Sequence, residues 1–178
     1  MRTIKTLLIG ILSAALFIGF GLLAAAPARP QGYDSMFAAV DFLANKYGVI
    51  VYTAHEPQAY TTYAATYGDL IVFNSLYVND PELLRANMTA DVVSGYHVGA
   101  HCSPEQALAA HEFAHALDYL TGFTTEHELS AALDSGLSGE VSGYAMSNLN
   151  EAIAESFTAV ECDVPSPAER AIYTMLTT

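Results

Sequence analysis

Residues 111–115 read His-Glu-Phe-Ala-His, inside the apolar stretch LAAHEFAHALDYL that runs from 108 to 120. On a helix, positions i and i+4 lie one above the other, so His111 and His115 point the same way. Two imidazoles so placed can hold one Zn²⁺, with Glu112 beside it to take a proton from a bound water. Ala107, Leu108, Ala110, Phe113, Ala114, Ala116, Leu117 and Leu120 cover nearly the whole circumference of this helix, which predicts that it is buried. Ionisable groups in such a place cost several kcal/mol unless something satisfies them. The stretch therefore demands a partner.

A hydrolytic zinc site needs a third protein ligand and one open position. The pattern HExxHxxGxxH would supply a third histidine, but its matching positions here are Asp118 and Thr121. A later segment, residues 148–160, supplies two carboxylates at helical spacing, Glu151 and Glu155, among Ala152, Ile153, Ala154, Phe157, Ala159 and Val160. One of the two is expected to ligate the metal. The other is expected to hydrogen-bond the far nitrogen of a ligand histidine, as carboxylates behind metal sites do. Asp118, one turn beyond His115, either buttresses a ligand histidine or faces water. His97 and His101, in the loop before the helix, read as surface histidines.

The elements that must position these groups follow from local signals. Asp34-Ser35 caps a helix over 36–47, with Phe37, Val40, Leu43 and Tyr47 as its stripe and Gly48 as its stop. Residues 49–53 and 70–73 read as strands, and the polar, Tyr-rich stretch between them, 55–68, carries no clear signal. Asp80-Pro81 opens a helix to about Val93. Ser103-Pro104-Glu105-Gln106 forms a capping box for the helix bearing the two histidines, which ends near Thr121-Gly122. A second box, Thr125 to Glu128, predicts a shorter helix. A Gly/Ser-rich loop over 135–144 leads to the Glu151/Glu155 helix, and Pro165 and Pro167 break the chain before a last helix over 168–176. The fold class is α+β, with few strands and many helices.

The first thirty residues differ from the rest. Arg2 and Lys5 precede an apolar run over 7–26 and an Ala26-Pro27-Ala28 end, the form of a secretory signal peptide. The run is also long enough for an uncleaved anchor. Either way residues 29–178 form one domain outside the cytosol, secreted or held at the outer face of the membrane by residues 7–26. Beyond the leader, Arg29, Lys46, Arg85 and Arg170 stand against nineteen acids, the wrong balance for holding nucleic acid. Cys102 and Cys162, in an exported chain, suggest one disulfide tying the start of the histidine helix to the end of the glutamate helix.

HEFAHALD (111–118) followed by SGYAMSNLNEAIAESF (142–157) resembles the zinc peptidase domain of anthrax lethal factor and its bacterial and phage-encoded relatives, which are of the gluzincin type. In that family a tyrosine stands seven residues before a Glu of an E-x-x-A-E-x-F segment, as Tyr144 stands before Glu151 here. The likeness covers about residues 103–160, and the family's glycine inside the histidine motif is Ala114 in this chain. The resemblance implies a zincin-like fold and one Zn²⁺ held by His111, His115 and Glu151. It further implies Glu155 behind a ligand histidine, Glu112 as general base, and Tyr144 as the phenol that stabilises an oxyanion. The expected activity is endopeptidase action on a peptide or protein substrate, with 70–73 as the sheet edge that pairs with it by fold analogy. The competing reading is a zinc-binding module without catalysis, acting in adhesion, inhibition or assembly. An intact Glu112 argues against it, because a structural zinc has no use for a general base.

Overall fold

The computed structural model describes residues 35–134 and 142–178; the leader and the 135–141 part of the Gly/Ser-rich loop lie outside them. Its elements are α1 (Met36–Tyr47), β1 (Tyr52–Glu56), β2 (Ala64–Tyr67), β3 (Leu70–Asn74), α2 (Ser75–Asn79), α3 (Pro81–Val93), α4 (Pro104–Leu120), α5 (Thr124–Asp134), a 3₁₀ turn (Tyr144–Met146), α6 (Leu149–Cys162) and α7 (Pro167–Thr177). The class is α+β, with seven helices and a small mixed sheet among the described residues.

Local signals set most helix boundaries. Ser35 Oγ accepts from the Ala38 amide to start α1, and Gly48, at φ +68°, ends it in the left-handed conformation that favours glycine. Ser103 and Gln106 form the expected reciprocal box at the head of α4. Ser166 and Glu169 form another at α7, so Pro167 is the first residue of that helix rather than a breaker before it. Thr125 is not a cap: it is the second residue of α5 and fully buried.

The sheet departs from expectation in strand order and in where its first strand begins. The first strand begins at Tyr52, not Val49, where the Tyr52 amide bonds the Asp69 carbonyl. An additional strand, β2, forms within the Tyr-rich stretch and joins β3 through the turn at Gly68-Asp69. The order β1-β3-β2 places β3 in the middle, parallel to β1 and antiparallel to β2. Residues 70–73 therefore cannot be an edge: their ladder is taken on both sides, and Ile71, Val72 and Phe73 are buried. The free edge nearest α4 belongs to β2.

The core gathers α1, β3, α4, α6 and α7 around Val40, Phe73, Phe113, Ile153, Phe157 and Ile172. Cys102 and Cys162 are bonded, joining the loop before α4 to the last turn of α6. The same loop is tied to the end of α6 by Asp163, whose carboxylate accepts from the amides of Gly99 and His101 at 2.6 and 3.1 Å. Gly99 is required there: its φ is +114°, and a Cβ would come 2.7 Å from the Cβ of Ala107 on α4. Gly99→Ala is predicted to lower stability by at least about 2 kcal/mol, combining backbone strain with overpacking. Denaturant unfolding measures it, and an unchanged midpoint would contradict the tight seating of this loop.

Candidate functional site

Three ligand-type atoms from α4 and α6 meet at one point. His111 Nε2 and His115 Nε2 are 3.3 Å apart. Glu151 Oε2 lies 3.0 Å from the first and 3.4 Å from the second. Four ligands at 2.0–2.1 Å around a tetrahedral ion lie about 3.3 Å from one another, so these spacings suit a single zinc-sized cation. Asn148 places the carboxylate by capping α6: its Oδ1 accepts from the Glu151 amide at 3.0 Å. That sets Glu151 in the first helical turn, where the helix dipole favours an acid.

Behind this triangle stands Glu155. Its Oε1 faces His111 Nδ1 at 3.0 Å and His97 Nδ1 at 2.8 Å, and its Oε2 accepts from the Val98 amide at 2.9 Å. Its oxygens are thus supplied by three N–H groups, which explains how a 1 % exposed carboxylate is tolerated. The pair assigns the tautomer of His111. A proton on Nδ1 serves Glu155, so the neutral ring offers a lone pair at Nε2, aimed at a second imidazole nitrogen and at a carboxylate. Either a second ring proton shared with Glu151 or a bound cation would satisfy such an arrangement.

The ionisation tendencies express the same demand. Burial alone would lower the His111 pKa, but hydrogen bonds to Glu151 and Glu155 outweigh it and raise the pKa to about 10. Burial likewise pushes Glu151 and Glu155 up, and hydrogen bonds with the histidines reverse this, holding both below the usual carboxylate range. His97, His111 and Glu155 also form a cluster of metal-ligating types, but the hydrogen bonds just described account for its polar atoms.

Glu112 is 6 % exposed, and Thr66 Oγ1 of β2 donates to its Oε2 at 2.7 Å. The edge strand thus fixes the carboxylate expected to move the proton. β2 is itself seated by its turn, for Gly68 (φ +66°) packs so closely on the Tyr119 ring of α4 that a Cβ would meet it at 3.2 Å. Tyr144 arrives from the other side. The amides of Gly143 and Tyr144 bond the carbonyls of Gly95 and Tyr96, and the Tyr144 ring sits 5.7 Å from that of His111. Burial, then the charge of Glu151, raises its pKa, so the phenol keeps its proton and remains a donor.

The structure brings His111, Glu112, His115, Glu151, Glu155 and Tyr144 together. Asp118 is different. It is 4 % exposed, so it does not face water, and its Oδ1 has no hydrogen-bond partner. Burial raises its pKa, while Thr125 and the charge of His115 oppose the rise. His97 corrects the sequence reading, being a mostly buried partner of Glu155 rather than a surface group; His101 is exposed, against Asp163, as expected. Thr66 carried no sequence signal at all. Two hollows of about 410 Å³ each meet at His111, Glu112 and Tyr144, one running under Tyr63 and α3, the other along Thr66, His115 and Glu151.

Comparison with family models, with curated proteins and with solved structures returns no match.

Without metal, the His111 contribution to stability is fully present below about pH 6.5 and is lost as pH rises towards about 10. The two glutamates contribute above about pH 4.5 and lose their contribution as pH falls. Zinc requires deprotonated imidazoles, so its stabilising effect is predicted to grow with pH. Melting curves with one equivalent of zinc or with chelator, between about pH 6 and 8, should show a widening gap in Tm. A gap that narrows would contradict the assignment.

Proposed function

We propose that the chain is a zinc-dependent endopeptidase of zincin-like fold, acting on peptide or protein substrates outside the cytosol. The observation that carries this reading is the convergence of His111 Nε2, His115 Nε2 and Glu151 Oε2 beside a buried Glu112 pinned by Thr66. A Zn²⁺ bound by those three atoms supplies Lewis-acid polarisation of a carbonyl and of a water molecule.

The chain's own groups supply the rest. Glu112 takes the proton of the attacking water on its carboxylate and passes it to the leaving amine nitrogen. Thr66 holds the other oxygen of Glu112 in place through the cycle. The Tyr144 phenol, kept protonated, donates to the oxygen that gains charge when the scissile carbonyl is attacked. Glu155 keeps His111 in the tautomer that presents Nε2 forward. β2 replaces β3 as the edge for an extended substrate, since Ala64, Ala65 and Thr66 line the hollow that runs past Glu151. The Cys102–Cys162 disulfide supports placement in an oxidising compartment, with residues 1–28 as signal peptide or anchor. Among the described residues no helix is long and apolar enough to cross a membrane.

Cleavage of a mixed peptide library by zinc-loaded protein, read by mass spectrometry, tests the proposal. Cuts are expected from the parent chain, with Glu112→Gln slower by at least about 10²-fold. Tyr144→Phe is expected to lower kcat by about 10²-fold with KM nearly unchanged. A folded, zinc-bound chain that cuts nothing would instead favour the non-catalytic module.

A further inference from the structure

The hollow under α3 has a chemistry of its own. Its walls carry Tyr60, Tyr63, Tyr77 and Tyr96, with Asn87 and Asp91 presented by α3, and it opens at its other end onto His111, Glu112 and Tyr144. A volume of about 410 Å³ is in the range of ligand sites. Much of this wall comes from the Tyr-rich stretch before β2, whose composition secondary structure alone does not explain.

Asp91 breaks a local rule. It lies in the last turn of α3, the negative end of the helix dipole, where an acid is disfavoured and a base preferred. No basic residue stands in that turn, and the carboxylate is held by a neutral phenol, Tyr63 Oη, at 2.7 Å. Arg85, on the same helix, is engaged by Glu82 and Glu105. Among the described residues no Lys or Arg lines the hollow. A carboxylate paired with no Lys or Arg among the described residues, at a helix C-terminus and in a cavity lined by tyrosines, is complementary to a positive side chain. The ring faces attract the cation, the carboxylate pairs with it, and the phenol oxygens accept its remaining N–H groups.

We infer that this hollow is the subsite for a basic side chain, arginine above all, on a substrate residue flanking the scissile bond, with Asp91 as its specificity-determining residue. The inference rests on the peptidase reading for its meaning, but the binding it predicts is measurable without turnover. Tyr63 orients the Asp91 carboxylate, and guanidinium suits the site better than ammonium because its several donors can reach carboxylate and phenols together.

The experiment is calorimetric titration of the full chain carrying Glu112→Gln, in zinc-containing buffer, with blocked hexapeptides varied at either central position among Arg, citrulline, Leu and Glu. In one of the two positions, Arg is expected to bind at least tenfold tighter than its uncharged isostere citrulline, and Glu weakest. Asp91→Asn in the same background keeps an acceptor for Tyr63 and is expected to bring Arg and citrulline within about twofold. The citrulline comparison needs no change at Asp91, so it holds even if that variant folds poorly. Leu binding as tightly as Arg, an Arg preference that survives Asp91→Asn, or no peptide binding would each overturn the inference. An Asp91-dependent Arg preference without cleavage by the parent chain would keep the subsite and remove the peptidase reading.

Discussion

The hydrogen bond from His111 Nδ1 to Glu155 is the constraint on which the rest of the site depends. It commits one nitrogen of a buried imidazole to a buried carboxylate, and so leaves the other facing His115 and Glu151, where a proton or a metal ion would meet it. Glu155 can do this because His97 and the Val98 amide supply its remaining bonds. That in turn requires the loop over residues 94–102 to lie against α6. The disulfide, the Asp163 bonds and the close approach at Gly99 hold it there. A buried set of acceptors is costly unless a cation meets it, and the surrounding structure is arranged to keep that set together rather than relax it.

Two helices with the same i, i+4 device build the centre. α4 offers two imidazoles from one face, and α6 offers two carboxylates from one face, one in front of His111 and one behind it. Around this pair the sheet and the loops place the groups that the proposed peptidase would use to move protons and bind substrate. β2 fixes Glu112 through Thr66, the turn at Tyr144 places a protonated phenol against His111, and the two hollows leave room on either side of these groups. Glu112 then lies where a substrate passing between the hollows would meet it.

The sequence made the chemistry on α4 and α6 legible because helical spacing is a local property. The caps at Ser103 and Ser35 are equally local, and each appears where its side chain predicts. The sheet was harder. Val49, Ile50 and Val51 favour a strand as strongly as the residues that form it, so the strand starts three residues later than their composition suggests. β2 shows no alternation because it is a short edge strand with one face on α4, and the central position of β3 depends on pairings that no single segment encodes. His97 and Thr66 reach the site through tertiary contacts alone, which is why one read as a surface group and the other did not register.

Metal stoichiometry tests the central claim most directly. Protein purified from zinc-containing medium and dialysed against metal-free buffer would be analysed by inductively coupled plasma mass spectrometry, beside Glu151→Gln and Glu155→Gln variants. One zinc per parent chain is expected. Glu151→Gln should bind it far more weakly because a ligand is lost, and Glu155→Gln by about 10- to 100-fold because only the support of His111 is lost. A folded parent chain without zinc, or with zinc retained equally by both variants, would contradict the account.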